Sequence, residues 1–140
     1  MAEMTSISSS NLRAVVVTPE TTVLDSTALF VALPLYDGEI GIAPGHSPLI
    51  GRLGFGEMRL TSVENATDAY YVDGGFVQVV DNVVTVLTNR AVPAAELDAE
   101  VAAEQLQAAR ARKAAGDDAI AIRERIVGQA RAQVRVARRH

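Results

Sequence analysis

DGEIGIAPGHSPLIG, residues 37–51, is the run whose reading decides how this chain folds. Its fifteen positions hold four glycines, two prolines and His46, one of only two histidines in the sequence. A phosphate-binding loop needs a lysine and a Ser or Thr after its last glycine, so that an ammonium meets the phosphates and a hydroxyl meets magnesium. Here Gly45 leads into His46-Ser47-Pro48, and Gly38 and Gly41 open no helix because Pro44 and Pro48 follow. A nucleophilic triad needs a base oriented by a carboxylate, with the nucleophile in hydrogen-bond reach. Asp37 and Glu39 are close to His46 and Ser47 in sequence, but adjacency along a chain is not the required geometry, and one internal histidine supplies no second imidazole for a metal. What remains is turn chemistry between strands.

The surroundings agree. From Asn11 to about Ala91, LRAVVVT (12–18), TALFVAL (27–33), EMRLTSV (57–63), AYYVD (69–73), FVQVV (76–80) and NVVTVLT (82–88) are rich in β-branched residues. Turn signals separate them at Pro19-Glu20, Tyr36-Asp37-Gly38, Gly54-Phe55-Gly56, Asn65-Ala66, Gly74-Gly75 and Asp81-Asn82. Short strands with regular turns predict an antiparallel sandwich or barrel of nine or ten strands over residues 11–92.

The pattern changes at Pro93. Residues 94–115 contain no Gly or Pro and are dominated by strong helix formers. Gly116 stops the run, with Asp117 or Asp118 as the next N-cap. A second helical stretch covers 119–139, with Ile122, Ile126 and Ala130 at helical spacing and Ile120, Val127 and Val134 at heptad spacing. So short a break predicts an antiparallel helical hairpin over 93–140. Its apolar stripe is thin and alanine-rich, Leu97, Val101, Leu106 and Ala108 bury little, and Gly128 costs ~1 kcal/mol in mid-helix. The hairpin therefore reads as a marginally docked appendage able to change partners, the alternative being a hairpin simply packed on the sheet. The overall class is α+β, and the polar, serine-rich residues 1–10 read as a disordered extension.

Composition narrows the function. Without cysteine, disulfide scaffolds, thiol catalysis and Cys-ligated zinc are excluded. The N-terminal stretch has no secretory pattern, and no apolar run is long enough to span a bilayer. The net charge of −4 conceals a split, with −10 over residues 1–109 and +6 over 110–140. The basic helix could pair with nucleic-acid phosphates, but no aromatic follows Phe76 to stack on bases, and the acidic remainder repels a polyanion. A solvated helix face accounts for the charge run at least as well, and among partners a protein with an acidic surface suits it better.

The glycine-rich run strongly resembles the signature of the epsilon subunit of F-type ATP synthases, called delta in mitochondria. YYVDGGFVQVVDNVVTVLTNRAVPAAELD (70–98) is similar to that family's Gly-Gly strand, its following strand and the acidic start of its helical hairpin. Order and spacing agree over residues 12–139. The resemblance implies a ten-stranded sandwich and two helices in the central rotor stalk, non-catalytic and without metal or cofactor. Implied partners are the gamma subunit, the c-ring, and the alpha/beta catalytic hexamer through the hairpin; no nucleic acid is implied. Membrane association would come only through the complex, at the cytoplasmic face of a bacterial plasma membrane, in support of proton-driven ATP synthesis.

The implied docking loop comprises Asp37, Glu39, His46 and Ser47, with the glycines and prolines shaping a compact rim. The hairpin would inhibit ATP hydrolysis by presenting Arg123, Arg125, Arg131, Arg135, Arg138 and Arg139 to an acidic segment of the beta subunits. Some bacterial members bind ATP through Ile/Leu-Asp-x-x-Arg-Ala; here the run is Leu97-Asp98-Ala99-Glu100-Val101-Ala102, with Val101 where the arginine stands. Asp98, Arg131 and Arg135 would form at most a weak ATP site. The alternative is a free-standing nucleic-acid or nucleotide-binding module using the basic helix; an enzyme centred on His46 comes third.

Overall fold

Two long strands organise the sheet: β5 (Leu49–Thr61) and β6 (Thr67–Val80) in the computed structural model, which describes residues 11–140. The expected disordered extension, 1–10, lies outside the described residues. Around these two run β1 (Leu12–Val17), β2 (Thr22–Ala28), β3 (Phe30–Leu35), β4 (Gly38–Ile42), β7 (Val83–Leu87) and β8 (Ala91–Pro93). The hydrogen-bonded order is β2-β1-β7-β6-β5-β3-β4, with β8 also on β6. All pairs are antiparallel except β1 with β7.

The β5–β6 ladder runs from Leu49↔Val79 to Leu53↔Gly75, skips Gly54 and Gly74, and resumes from Phe55↔Asp73 to Thr61↔Thr67. Gly74 and Gly75 sit at φ +74° and +109°, which side chains other than glycine's hydrogen rarely allow. At Gly75 the close approach is decisive: a Cβ there would lie 1.9 Å from the Leu87 carbonyl oxygen. On the other side Pro34 supplies no backbone donor, and the β3–β5 register breaks between Ala32 and Leu35. The first half of β5 and second half of β6 thus join β7, β1 and β2, while the other halves join β3, β4 and β8. One continuous sheet becomes two layers.

Between the layers lies the main core. Leu12, Val16, Val77, Val79, Val84 and Val86 from one side meet Val31, Leu33, Met58, Leu60 and Val72 from the other. The alternation of buried and exposed positions along β1 and β6 is the period-2 pattern that places them there.

Several expectations need correction. Among the described residues there are eight strands rather than nine or ten, because Gly54–Gly56 and Gly74–Gly75 are bends inside strands and not turns. The stretch 27–33 is not one strand: Leu29 separates β2 from β3, its N–H donating to the Thr61 carbonyl at 2.7 Å. Residues 37–51 are not a compact rim either, since β4 and the start of β5 occupy most of them and only 43–48 forms a connecting loop.

After β8, a 3-10 turn (Ala94–Glu96) leads to helix α1 (Ala99–Ala111) and then α2 (Asp117–Arg139). Asp98 caps α1, accepting from the Glu100 and Val101 N–H groups at 2.9 and 3.2 Å. Helix α1 stops four residues earlier than its alanine run suggests. There the Arg123 guanidinium takes the Arg110 and Arg112 carbonyls at 2.6 and 2.9 Å, satisfying acceptors a longer helix would have used. The N-cap of α2 is Gly116, at φ +88°, and not an aspartate; Asp117 and Asp118 fall in the first turn, where their charge suits the helix dipole.

One face of α2 covers the outer surface of the second layer. Ala132 and Val136 pack on Tyr71, Ala94, Phe55, Ala69 and Leu97. Val127, Ala130 and Val134 are buried as their spacing suggests, whereas Ile120 and Ile122 are exposed. Among the described residues no helix is long and apolar enough to cross a membrane.

Candidate functional site

Strand β4 divides the docking set read from the sequence. Asp37 and Glu39 flank the β3–β4 turn, whereas His46 and Ser47 lie past the other end, with roughly 13 Å of strand between them. The 43–48 loop is tied to the β6–β7 turn by the Gly45 N–H, which donates to Asn82 Oδ1 at 2.7 Å. His46 Nδ1 bonds the Ser47 carbonyl oxygen at 2.7 Å and faces Asp81 and Asn82 across a shallow cleft. With β4 between them, the carboxylates of Asp37 and Glu39 do not orient His46, whose Nδ1 turns to the Ser47 carbonyl. No group of three His, Asp or Glu side chains among the described residues is arranged to hold a metal.

Glu39 instead joins a charge chain beneath the hairpin. Arg59 Nη2 donates to Glu39 Oε1 at 3.1 Å and Arg59 Nη1 to Glu57 Oε1 at 3.0 Å. From α2, Arg139 Nη1 reaches the same Glu57 oxygen at 3.0 Å, and His140 Nε2 contacts Glu57 Oε2 at 2.5 Å. The alternation of β5 sends Met58 and Leu60 into the core and Glu57 and Arg59 outward, where α2 closes over them. Only 5% of the Glu57 side chain is exposed. Burial by itself pushes its carboxyl pKa up, but hydrogen bonds from His140, Arg59 and Arg139 together outweigh that and hold it below the usual value. A second polar clamp lies further along α2, where Gln129 Nε2 and the Tyr71 hydroxyl donate to Asp73 Oδ1 at 3.0 and 3.1 Å.

The six arginines do not act as one group. Arg123 holds the hairpin connection and Arg139 holds Glu57. Arg131, Arg135 and Arg138 form an exposed stripe at helical spacing, with no ion pair among the described residues. Arg125 lines a cleft of about 720 Å³ with Tyr36, Arg52, Phe55 and Asn89, in which Arg52 sits 4.6 Å over the Tyr36 ring. The Asp98 carboxylate is spent on the cap of α1, and among the described residues no ion pair joins it to Arg131 or Arg135. A cavity of about 380 Å³ between the helices is lined by glutamines and alanines with Arg112, and by none of the three.

One surface escaped the sequence reading. The outer face of the first layer presents two register rows, Arg52–Phe76–Leu87–Val17 and Ile50–Gln78–Thr85–Val15. Ile50, Phe76 and Leu87 are 78%, 57% and 52% exposed, and a groove of about 820 Å³ runs beside them at Gly75. Large apolar side chains aligned across four strands make a patch suited to a partner. The two-residue turn at Asp81-Asn82 carried the signal, since residues equidistant from it fall opposite one another.

Comparison with known proteins gives the context. A family model for the β-sandwich domain of the ATP synthase delta/epsilon chain matches residues 11–94. An ATP synthase epsilon chain of Rhodopirellula baltica is 47% identical over 128 residues, covering 91% of this chain and 99% of the relative. One from Janthinobacterium is 38% identical over 127 residues, covering 90% and 86%. In fold, a chain of the Euglena gracilis mitochondrial ATP synthase, solved with its c-ring, superposes with a TM-score of 0.82 at 24% identity, over 94% of this chain and 82% of that one.

Proposed function

The chain belongs to the delta/epsilon family of ATP synthase subunits, and from that premise we propose how its surfaces divide the work of a central-stalk subunit. It is a non-catalytic rotor component that serves ATP synthesis without an active site of its own. The gamma subunit takes the outer face of the first layer, over Ile50, Phe76 and Leu87. One observation carries this reading: that face lies open, while the outer face of the other layer is closed by α2. Each large apolar side chain buried there contributes about 1.5–3 kcal/mol toward offsetting the cost of association.

Asp37 and Glu39 turn their charge toward the basic polar loops of a c-ring, and attachment to the membrane follows from that contact, at the cytoplasmic face. His46 and Ser47, at the far end of β4 beside the Asp81–Asn82 turn, belong to the gamma side. When the hairpin leaves the sandwich, the stripe of Arg131, Arg135 and Arg138 meets an acidic segment of the catalytic beta subunits and slows ATP hydrolysis. The test is retention of the full chain on immobilised gamma. Phe76→Asp with Leu87→Asp should lower retention by at least about tenfold while β-sheet circular dichroism is unchanged. Undiminished retention by the folded variant would remove gamma from this face.

A further inference from the structure

The chain Glu39–Arg59–Glu57–Arg139 joins two regions that the proposed function gives to different partners. Glu39 is 53% exposed at the β3–β4 end, and Arg139 stands on the hairpin. Their link is indirect. Arg59 and Arg139 both place Nη1 at 3.0 Å from one oxygen, Glu57 Oε1. Two guanidiniums that share one carboxylate oxygen compete for it and repel each other, with partial screening because the Arg59 and Arg139 side chains are 35% and 53% exposed. Glu39 relieves it from the outer side by holding Arg59 through its second nitrogen.

The hairpin has little else to hold it. Its apolar footing on the sandwich is Ala132 and Val136 with a few half-buried neighbours, and its other polar ties include the Gln129–Asp73 bond and one between Gln133 and the Tyr71 hydroxyl.

We infer that Arg59 is a relay: a cationic group seated on Glu39 turns Arg59 wholly onto Glu57, displaces Arg139 and loosens the hairpin from the sandwich. Glu39 is thus a positioning residue for a helix it does not touch. The identity of that cationic group as a c-ring loop rests on the proposed function; the relay itself does not, because all its members are in this chain.

The relay is tested on the isolated full chain. The sequence has no cysteine, so Ala132→Cys, on the buried face of α2, reports undocking through its rate of alkylation by iodoacetamide, and Val77→Cys in the main core reports global opening. Glu57→Gln should speed labelling at 132 by at least about tenfold, because Arg139 and His140 lose their carboxylate. Glu39→Gln should speed it about two- to fivefold, the range of an exposed ion pair. In an Arg59→Gln background Glu39→Gln should do nothing, which is the non-additivity a relay demands.

An unchanged rate with Glu39→Gln, or the same acceleration with and without Arg59, would overturn the relay. So would equal acceleration at 77 and 132, which would mean general loosening. Because no partner is present, a failed cycle speaks only against the relay. A misplaced c-ring contact would leave the cycle intact and show instead as c-ring binding indifferent to Asp37 and Glu39.

Discussion

Gly128 sits in the middle of α2, where glycine is the poorest helix former after proline, and nothing around it requires a missing side chain. A Cβ built there would lie 3.7 Å from two carbons of the Phe55 ring, ordinary van der Waals contact. Gly128→Ala should therefore stabilise the protein through two separable effects. Helix propensity contributes about 0.8–1.0 kcal/mol whether or not α2 is docked. The new methyl on Phe55 adds up to about 0.8 kcal/mol, and only in the docked arrangement. Urea unfolding reads the sum, a gain of roughly 1.5 kcal/mol. Alkylation of Ala132→Cys reads the second effect alone, a fall of up to about fourfold. Loss of stability, or faster labelling, would mean that α2 and Phe55 approach more closely than the structure places them, and the account of the hairpin's footing would fail with it.

Gly75→Ala is the opposite case, since its methyl would overlap the Leu87 carbonyl at 1.9 Å and φ is +109°; a loss above about 3 kcal/mol in urea unfolding is expected, and a loss below about 1 kcal/mol would refute the bend geometry. Glu57 sets a pH limit on hairpin docking. Because its folded pKa lies below the ordinary 4.5, the stabilisation it gives is present above that value and is lost as pH falls through the lower folded one. Labelling at 132 by a pH-insensitive reagent should stay flat, so far as Glu57 governs it, from neutrality down to about that ordinary value and rise only in more acid solution. Neutralising Arg131, Arg135 and Arg138 to glutamine should relieve inhibition of hydrolysis in a reconstituted catalytic hexamer with gamma and leave undocking unchanged; undiminished inhibition would remove the stripe from that role.

Strand positions were legible because β-branched residues crowd wherever the backbone is extended, and the break at Pro93 was legible from composition. The bends were not. Gly74-Gly75 reads in sequence like any turn, and only the Leu87 carbonyl, twelve residues on, shows that the strand must bend and run on past it with no side chain. The end of α1 was hidden for a similar reason, since Arg123, on the next helix, supplies the donors that stop it. The sequence points to Glu39 and Arg139, but for separate partners. The residues that unite them, Glu57 and Arg59, read in sequence as part of a strand, and their outward facing follows from alternation with Met58 and Leu60. Which outer face the hairpin would cover does not follow from any local pattern. The apolar rows were within reach, because a two-residue turn at Asp81-Asn82 sets Phe76 opposite Leu87.

The two bent strands have a mechanical consequence for a part that turns. In a sandwich of separate sheets, a sideways load on one layer reaches the other only through side chains that can slide. Here β5 and β6 run covalently from one layer into the other, laced together by hydrogen bonds on both sides of the bend. A twist applied over Phe76 and Leu87 is carried by backbone tension to the strands beside Glu39, so the subunit resists shear along its length before its core has to yield.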